Sequence, residues 1–149
     1  MVIKTLIALG TSFDCASRVR LIIDDFNSQG EIQMVLDQGV APTNIIYANP
    51  CKQASHLRFA SSVGVQKMTF DNVDELHKIK QFCPEAQLVL RILTDDSKSL
   101  CKLGTKFGAS QGMVRVLLET AKELAMNVIG IRYVITWSDL QFPCRKWML

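Results

Sequence analysis

The sequence predicts an α/β fold, a partial TIM-type (β/α) barrel of about five parallel strands with intervening helices and no closure. Three observations predict it. Apolar runs of strand length alternate with segments of helical periodicity, glycines follow several helical segments, and each strand is reached through a helix, which requires parallel pairing. At 149 residues the chain is shorter than a complete eight-stranded barrel, which needs about 250 residues.

Each element has its own signal. The first three helices are expected to stop at Gly10, Gly39 and Gly64, since glycine suits the residue after a helix, and the fourth ends near Pro84. The last helix is amphipathic, and the last strand is rich in β-branched residues. The predicted helices are Val2–Leu9, Glu31–Gln38, Lys52–Val63, Asp74–Phe82 and Val114–Leu124. The predicted strands are Ser12–Ala16, Ile45–Ala48, Lys67–Phe70, Leu88–Leu93 and Val128–Ile135.

Composition excludes several classes of function. With 48% hydrophobic and 21% charged residues the chain can form a core, and a net charge of +3 from scattered basic residues disfavours nucleic-acid binding. The apolar start is too short to span a membrane. Five cysteines without C-x-x-C spacing predict reduced thiols and a cytoplasmic protein.

Parallel sheets place their chemistry where the strands end, so the residues there are the candidates for a site. Asp14 is either a cap or a site residue, whereas Asp71–Asn72 predicts a helix N-cap and Asn49–Pro50 a turn. Arg91 interrupts the most apolar strand and either points into the barrel and pairs with an anion or points outward among the helices. Both placements require a partner, and we favour the first, which makes Arg91 a site residue.

The two histidines do not form a metal site in this prediction. His56 and His77 each lie on a predicted helix without a second ligand at metal spacing, so both are expected at the surface.

Six motifs occur in the order found in eukaryotic ornithine decarboxylases, and on them the chain resembles the family of these enzymes and the antizyme inhibitors. The resemblance covers about Val2 to Ile131. The motifs are FDCAS at Phe13–Ser17, IIYANPCKQ at Ile45–Gln53, MTFD at Met68–Asp71, LVLRI at Leu88–Ile92, TDDSK at Thr94–Lys98 and KFG at Lys106–Gly108.

The resemblance implies a homodimeric, pyridoxal-phosphate-dependent enzyme that decarboxylates ornithine to putrescine, with the cofactor acting as electron sink. It implies that Asp14, Glu31 and Arg91 line the cofactor site and that Lys106 lies at the dimer interface. It also predicts residues 1–131 as part of the pyridoxal-phosphate-binding barrel and 132–149 as a divergent tail.

Departures from the family predict that this chain is inactive alone. The family's Schiff-base lysine motif would precede Met1, the segment Arg18–Gly30 is longer than the family link, and a cofactor-stacking histidine is missing after Ile131. No catalytic residue is therefore assigned. The alternatives are an antizyme-binding regulator, for which the resemblance implies contacts by Arg58 and Lys78, and a nonfunctional splice product.

Overall fold

The structure is a computed structural model and describes residues 2–15, 30–94 and 108–133. Five α-helices and five strands alternate along these ranges, and a short 3-10 helix, Pro42–Asn44, precedes the second strand. The helices are α1 (Val2–Ala8), α2 (Gly30–Asp37), α3 (Ala54–Ser62), α4 (Val73–Phe82) and α5 (Gln111–Glu123). The strands are β1 (Phe13–Cys15), β2 (Ile45–Tyr47), β3 (Lys67–Phe70), β4 (Gln87–Arg91) and β5 (Asn127–Arg132).

The strands form one parallel sheet in the order β1-β2-β3-β4-β5. Each strand pairs with the next one along the chain, as helical crossovers between parallel strands produce. Within the described ranges β1 and β5 are the two edges and do not pair with each other. The prediction of an α/β fold with about five parallel strands and an unclosed sheet is confirmed.

The predicted boundaries are accurate to within two residues for most elements. The strand Lys67–Phe70 is found as predicted, and Gly10, Gly39 and Gly64 follow their helices with φ of 72°, 86° and 80°. These values lie in the left-handed region that glycine adopts without strain. The helix predicted from Lys52 begins instead at Ala54, because Gln53 has extended backbone.

The helices cover one face of the sheet and form the core with it. Alternate residues of the strands point to this face, as strand geometry requires. The largest fully buried apolar side chains are Phe70, Ile45, Leu57, Met68, Leu76, Ile79, Leu88, Leu90, Leu117 and Val65. Alternation therefore turns the remaining strand residues to the opposite face, which would be the inside of a closed barrel.

A β-bulge changes the side-chain direction halfway along β5. Leu88 pairs with Val128, but the next residue of β4, Val89, pairs with Gly130, so Ile129 is the extra residue. Beyond the bulge Arg91 is paired with Arg132. Without the bulge, alternation would turn Arg132 to the helix-covered face. With the bulge, Arg91 and Arg132 lie side by side on the opposite face, which we call the open face.

No helix in the described part of the chain is long and apolar enough to cross a membrane.

Candidate functional site

Four charged residues gather where the strands end, and we call this group the polar edge: Asp14, Asp71, Arg91 and Arg132. Asp14 lies in β1, Asp71 follows β3, and the two arginines are the last residues of β4 and β5. Parallel strands bring these positions to the same side of the sheet. The family resemblance implied Asp14 and Arg91 as site residues, whereas Arg132 was not predicted.

An ion pair joins the first strand to the last. Arg132 Nη2 donates to Asp14 Oδ2 at 2.6 Å, although the residues are 118 positions apart in the sequence. The side chains of Arg132 and Asp14 are 28% and 46% exposed, so solvent partly screens the attraction between their charges. The sequence left Asp14 as either a cap or a site residue, and the structure places it within a strand, facing an arginine.

The charges of the other three members of the polar edge act on the guanidinium of Arg91. Burial and the neighbouring Arg132 guanidinium lower the pKa of Arg91, and the carboxylates of Asp71 and Asp14 oppose that shift. Of the two placements left open for Arg91, into the barrel or outward among the helices, its pairing with Arg132 and the nearby carboxylates favour the first, and its role at a cofactor stays a prediction. Each arginine therefore has carboxylates nearby, and the charges of the polar edge balance one another.

Asp71 and Asn72 divide two roles between them. The Asn72 side chain accepts a hydrogen bond from the backbone N–H of Glu75 at 2.8 Å, which confirms the predicted N-cap of α4. Asp71 instead accepts a hydrogen bond from the backbone N–H of Gly108 at 3.2 Å. Asp71 thus holds the chain segment before α5 against the polar edge.

Glu31 lies in the first turn of α2, close to the end of β1. Burial, with the nearby carboxylates of Glu31 and Asp14, raises the pKa of the Cys15 thiol to about 11. Glu31 therefore lies close enough to β1 to act on Cys15, and its role at the cofactor site stays a prediction. Cys15 remains protonated at neutral pH and is a poor nucleophile.

Beside the polar edge, a buried ion pair lies under the turn that follows β2. Lys52 and Glu75 have fully buried side chains, and Lys52 Nζ lies 2.9 Å from Glu75 Oε1. The same Nζ donates to the carbonyl oxygens of Thr69 at 2.6 Å and Asn49 at 3.1 Å. Burial lowers the pKa of Lys52, and the Glu75 carboxylate opposes this shift.

The contacts of Lys52 define its role. They tie the end of β2 to β3 and to the first turn of α4, so this lysine is structural.

The prediction for His56 was wrong. His56 is buried, and its Nδ1 lies 3.3 Å from the hydroxyl oxygen of Tyr47. It lies in the same helix as the buried Leu57 and Ala60, and a polar partner on β2 satisfies its ring. His77 is exposed, as predicted. Among the described residues no group of three or more His, Cys, Asp or Glu side chains could hold a metal ion.

The predicted antizyme contacts lie on neighbouring helices. Arg58, on α3, is exposed, and its guanidinium lies 4.9 Å from the ring centroid of Phe82 on α4. Lys78, on α4, is ion-paired with Glu75 Oε2 at 2.6 Å. Lys106, predicted at a dimer interface, lies outside the described residues.

Comparison with known proteins identifies the family. Residues 1–137 match the family described as pyridoxal-dependent decarboxylase, pyridoxal binding domain. The chain belongs to this family of pyridoxal-dependent decarboxylases. Ornithine decarboxylase of Saccharomyces cerevisiae is 50% identical over 132 residues, and antizyme inhibitor 2 of Xenopus laevis is 51% identical over the same length. Each alignment covers 89% of this chain and 26% of the relative, so the chain spans about a quarter of their length.

Solved structures of the pyridoxal-dependent decarboxylases share the fold. The arginine decarboxylase of Paramecium bursaria Chlorella virus superposes with a TM-score of 0.78 at 39% identity, covering 89% of this chain and 33% of that one. The order of strands and helices therefore belongs to the barrel domain of these decarboxylases.

The described residues fit the family's cofactor, pyridoxal phosphate, in part. Arg91 and Asp14 provide a cation and a carboxylate at the polar edge, but Asp14 is already paired with Arg132. No described lysine is positioned there for covalent attachment: Lys52 is buried among three acceptors, and Lys67 is the first residue of β3. The other described lysines lie on helices.

Proposed function

We propose that this chain forms part of the pyridoxal-phosphate-binding barrel of an ornithine-decarboxylase-like protein of putrescine synthesis. The observation that carries the proposal is the polar edge, built at the strand ends of a chain about half identical to ornithine decarboxylases. Asp14, Glu31 and Arg91 are the residues that would line the cofactor. When bound, the cofactor withdraws electrons from the carbon that loses carbon dioxide.

The chain by itself is not expected to decarboxylate an amino acid. The described residues place no lysine at the polar edge, so they can orient and charge-balance the cofactor without attaching it. We also propose that residues 1–131 are the barrel segment and 132–149 a divergent tail, and that the protein is cytoplasmic and homodimeric through a surface that includes Lys106.

Cofactor binding should depend on Arg91. The probe is pyridoxine 5′-phosphate, which has the cofactor's ring and phosphate but no aldehyde, and so does not react with surface lysines. We expect Arg91→Met to weaken its binding roughly tenfold, since a charge-assisted hydrogen bond contributes about 1.5–3 kcal/mol. Equilibrium dialysis with the purified chain measures this.

The matched control is Arg115→Met, which removes an arginine from the exposed face of α5, where it pairs with Glu119. Its affinity for the probe should equal that of the unchanged chain. Equal affinity in the Arg91→Met variant, or no binding of the probe by the unchanged chain, would contradict the proposed cofactor site.

The second candidate function is antizyme binding, and it is favoured by the 51% identity to antizyme inhibitor 2 of Xenopus laevis. Arg58 is available for such a contact because its guanidinium is exposed and held over the Phe82 ring. Lys78 already neutralises the outer oxygen of Glu75, so it can contribute less to a partner.

If the chain binds antizyme, Arg58→Glu should weaken binding roughly tenfold, and Lys78→Met by less than about threefold. Biolayer interferometry with immobilised antizyme measures both. Arg115→Glu makes the same charge change on α5 and should leave the affinity unaltered. If the unchanged chain fails to bind, the antizyme function is wrong; if Arg115→Glu weakens binding as much as Arg58→Glu, the contact surface is wrong.

A further inference from the structure

Arg132 connects the two edges of an unclosed sheet. It is the last residue of β5, and its guanidinium reaches Asp14 of β1, four strands away in the sheet order. An arginine can do this only where the sheet curls enough to bring its outer strands toward each other. The ion pair therefore lies across the open face at the polar edge.

The bulge in β5 is what directs Arg132 there. With Ile129 as the extra residue, Arg132 becomes the register partner of Arg91 and lies on the same face. Bulges are known to re-aim side chains beside functional sites. The backbone also fixes the end of β5, because Ile92 donates its N–H to the carbonyl oxygen of Arg132 at 2.9 Å.

The guanidinium of Arg132 is only partly used by Asp14. Nη2 makes the 2.6 Å hydrogen bond, while Nη1 is buried and has no hydrogen-bond partner among the described residues. A buried donor without an acceptor is unfavourable. The bulge and the hydrogen bond to Asp14 hold Arg132 in place despite this cost. Arg132 is therefore a second cation beside Arg91.

We propose that Arg132 masks Asp14 and thereby lowers the affinity of this chain for the cofactor. A ligand that binds the Asp14 carboxylate must first break the Asp14–Arg132 ion pair. The Arg132 side chain also occupies space on the open face that the ligand would need. This inference rests on the proposed function, because it takes Asp14 to be a cofactor-lining residue. Arg132 here changes only the affinity for the ligand and takes no part in chemistry.

The test is the affinity for pyridoxine 5′-phosphate, measured by equilibrium dialysis. Arg132→Ala removes both the charge and the bulk and should bind roughly fivefold tighter than the unchanged chain. Arg132→Lys keeps a cation that can pair with Asp14 and should bind no tighter than the unchanged chain. Adding Asp14→Asn to Arg132→Ala should abolish the gain, since the gain comes from the freed carboxylate.

Two controls separate the inference from the proposed function. Arg115→Ala removes an exposed arginine elsewhere and should not change affinity, and circular dichroism should show the same helix content in all variants. Should Arg132→Ala and the unchanged chain bind equally, with Arg91→Met weakening both, the masking role is overturned and the cofactor site stands. If no variant binds, both are overturned.

Discussion

Replacing Glu75 by leucine is expected to lower the free energy of unfolding by about 3–5 kcal/mol. Glu75 is fully buried and neutralises Lys52, whose ammonium group lies 2.9 Å away with no exposed surface. It also accepts the backbone N–H of Lys52 at 3.2 Å. Removing the carboxylate leaves a buried cation with only two carbonyl oxygens, and that uncompensated charge is the source of the loss.

Urea unfolding followed by far-ultraviolet circular dichroism measures this effect. Lys78 is the outer partner of Glu75, and its own side chain is 34% exposed. Lys78→Met should therefore lower the free energy of unfolding by less than about 1 kcal/mol. The double variant Lys52→Met/Glu75→Leu should recover most of the loss, because neither buried charge remains. Should Glu75→Leu fail to fold, Glu75→Gln gives a milder test of the same ion pair. A loss of unfolding free energy below about 1 kcal/mol for Glu75→Leu or Glu75→Gln would show that the Lys52–Glu75 pair does not stabilise the fold.

Replacing Gly108 by alanine is expected to lower the free energy of unfolding by about 2–5 kcal/mol. Gly108 has φ of 104°, a conformation that residues with a Cβ rarely adopt. A Cβ here would lie 2.8 Å from the carbonyl carbon of Ile92 and from the backbone nitrogen of Leu93. Both are backbone atoms of the segment that continues β4, so neither can move aside without disturbing Arg91.

Gly112→Ala is the matched control for Gly108→Ala. Gly112 lies in α5, and a Cβ there would have no heavy atom within 4 Å. Alanine should therefore leave stability unchanged or raise it by about 0.5–1 kcal/mol. Thermal unfolding of the two variants measures the difference, and equal midpoints would rule out the close approach of Gly108 to β4.

The sequence predicted the elements well because their signals are local. Periodicity, glycine stops and the Asn72 cap each involve residues a few positions apart. The missed features join distant residues. Nothing near Arg132 in the sequence indicates Asp14 as its partner, although a glycine within a strand, here Gly130, is a known sign of a bulge.

His56 and Lys52 show why polar residues are harder to predict. Both are usually exposed, and both are buried here because a partner on another element satisfies them: Tyr47 for His56 and Glu75 for Lys52. The local signal at Glu75 is that of a first-turn acid, which predicts a surface role. Only the packing of α4 against the end of β3 makes this carboxylate part of the core.

The order of the sheet has a consequence for how the chain assembles. Every strand pairs with the strand before it in the sequence, so each contact closes a modest length of chain, which favours rapid folding. The sheet can therefore grow strand by strand as the polypeptide is synthesised. The Asp14–Arg132 contact, spanning 118 residues, can form only after the fifth strand has joined. The contact therefore marks the joining of β5, and until then the Asp14 carboxylate is not covered by the Arg132 guanidinium.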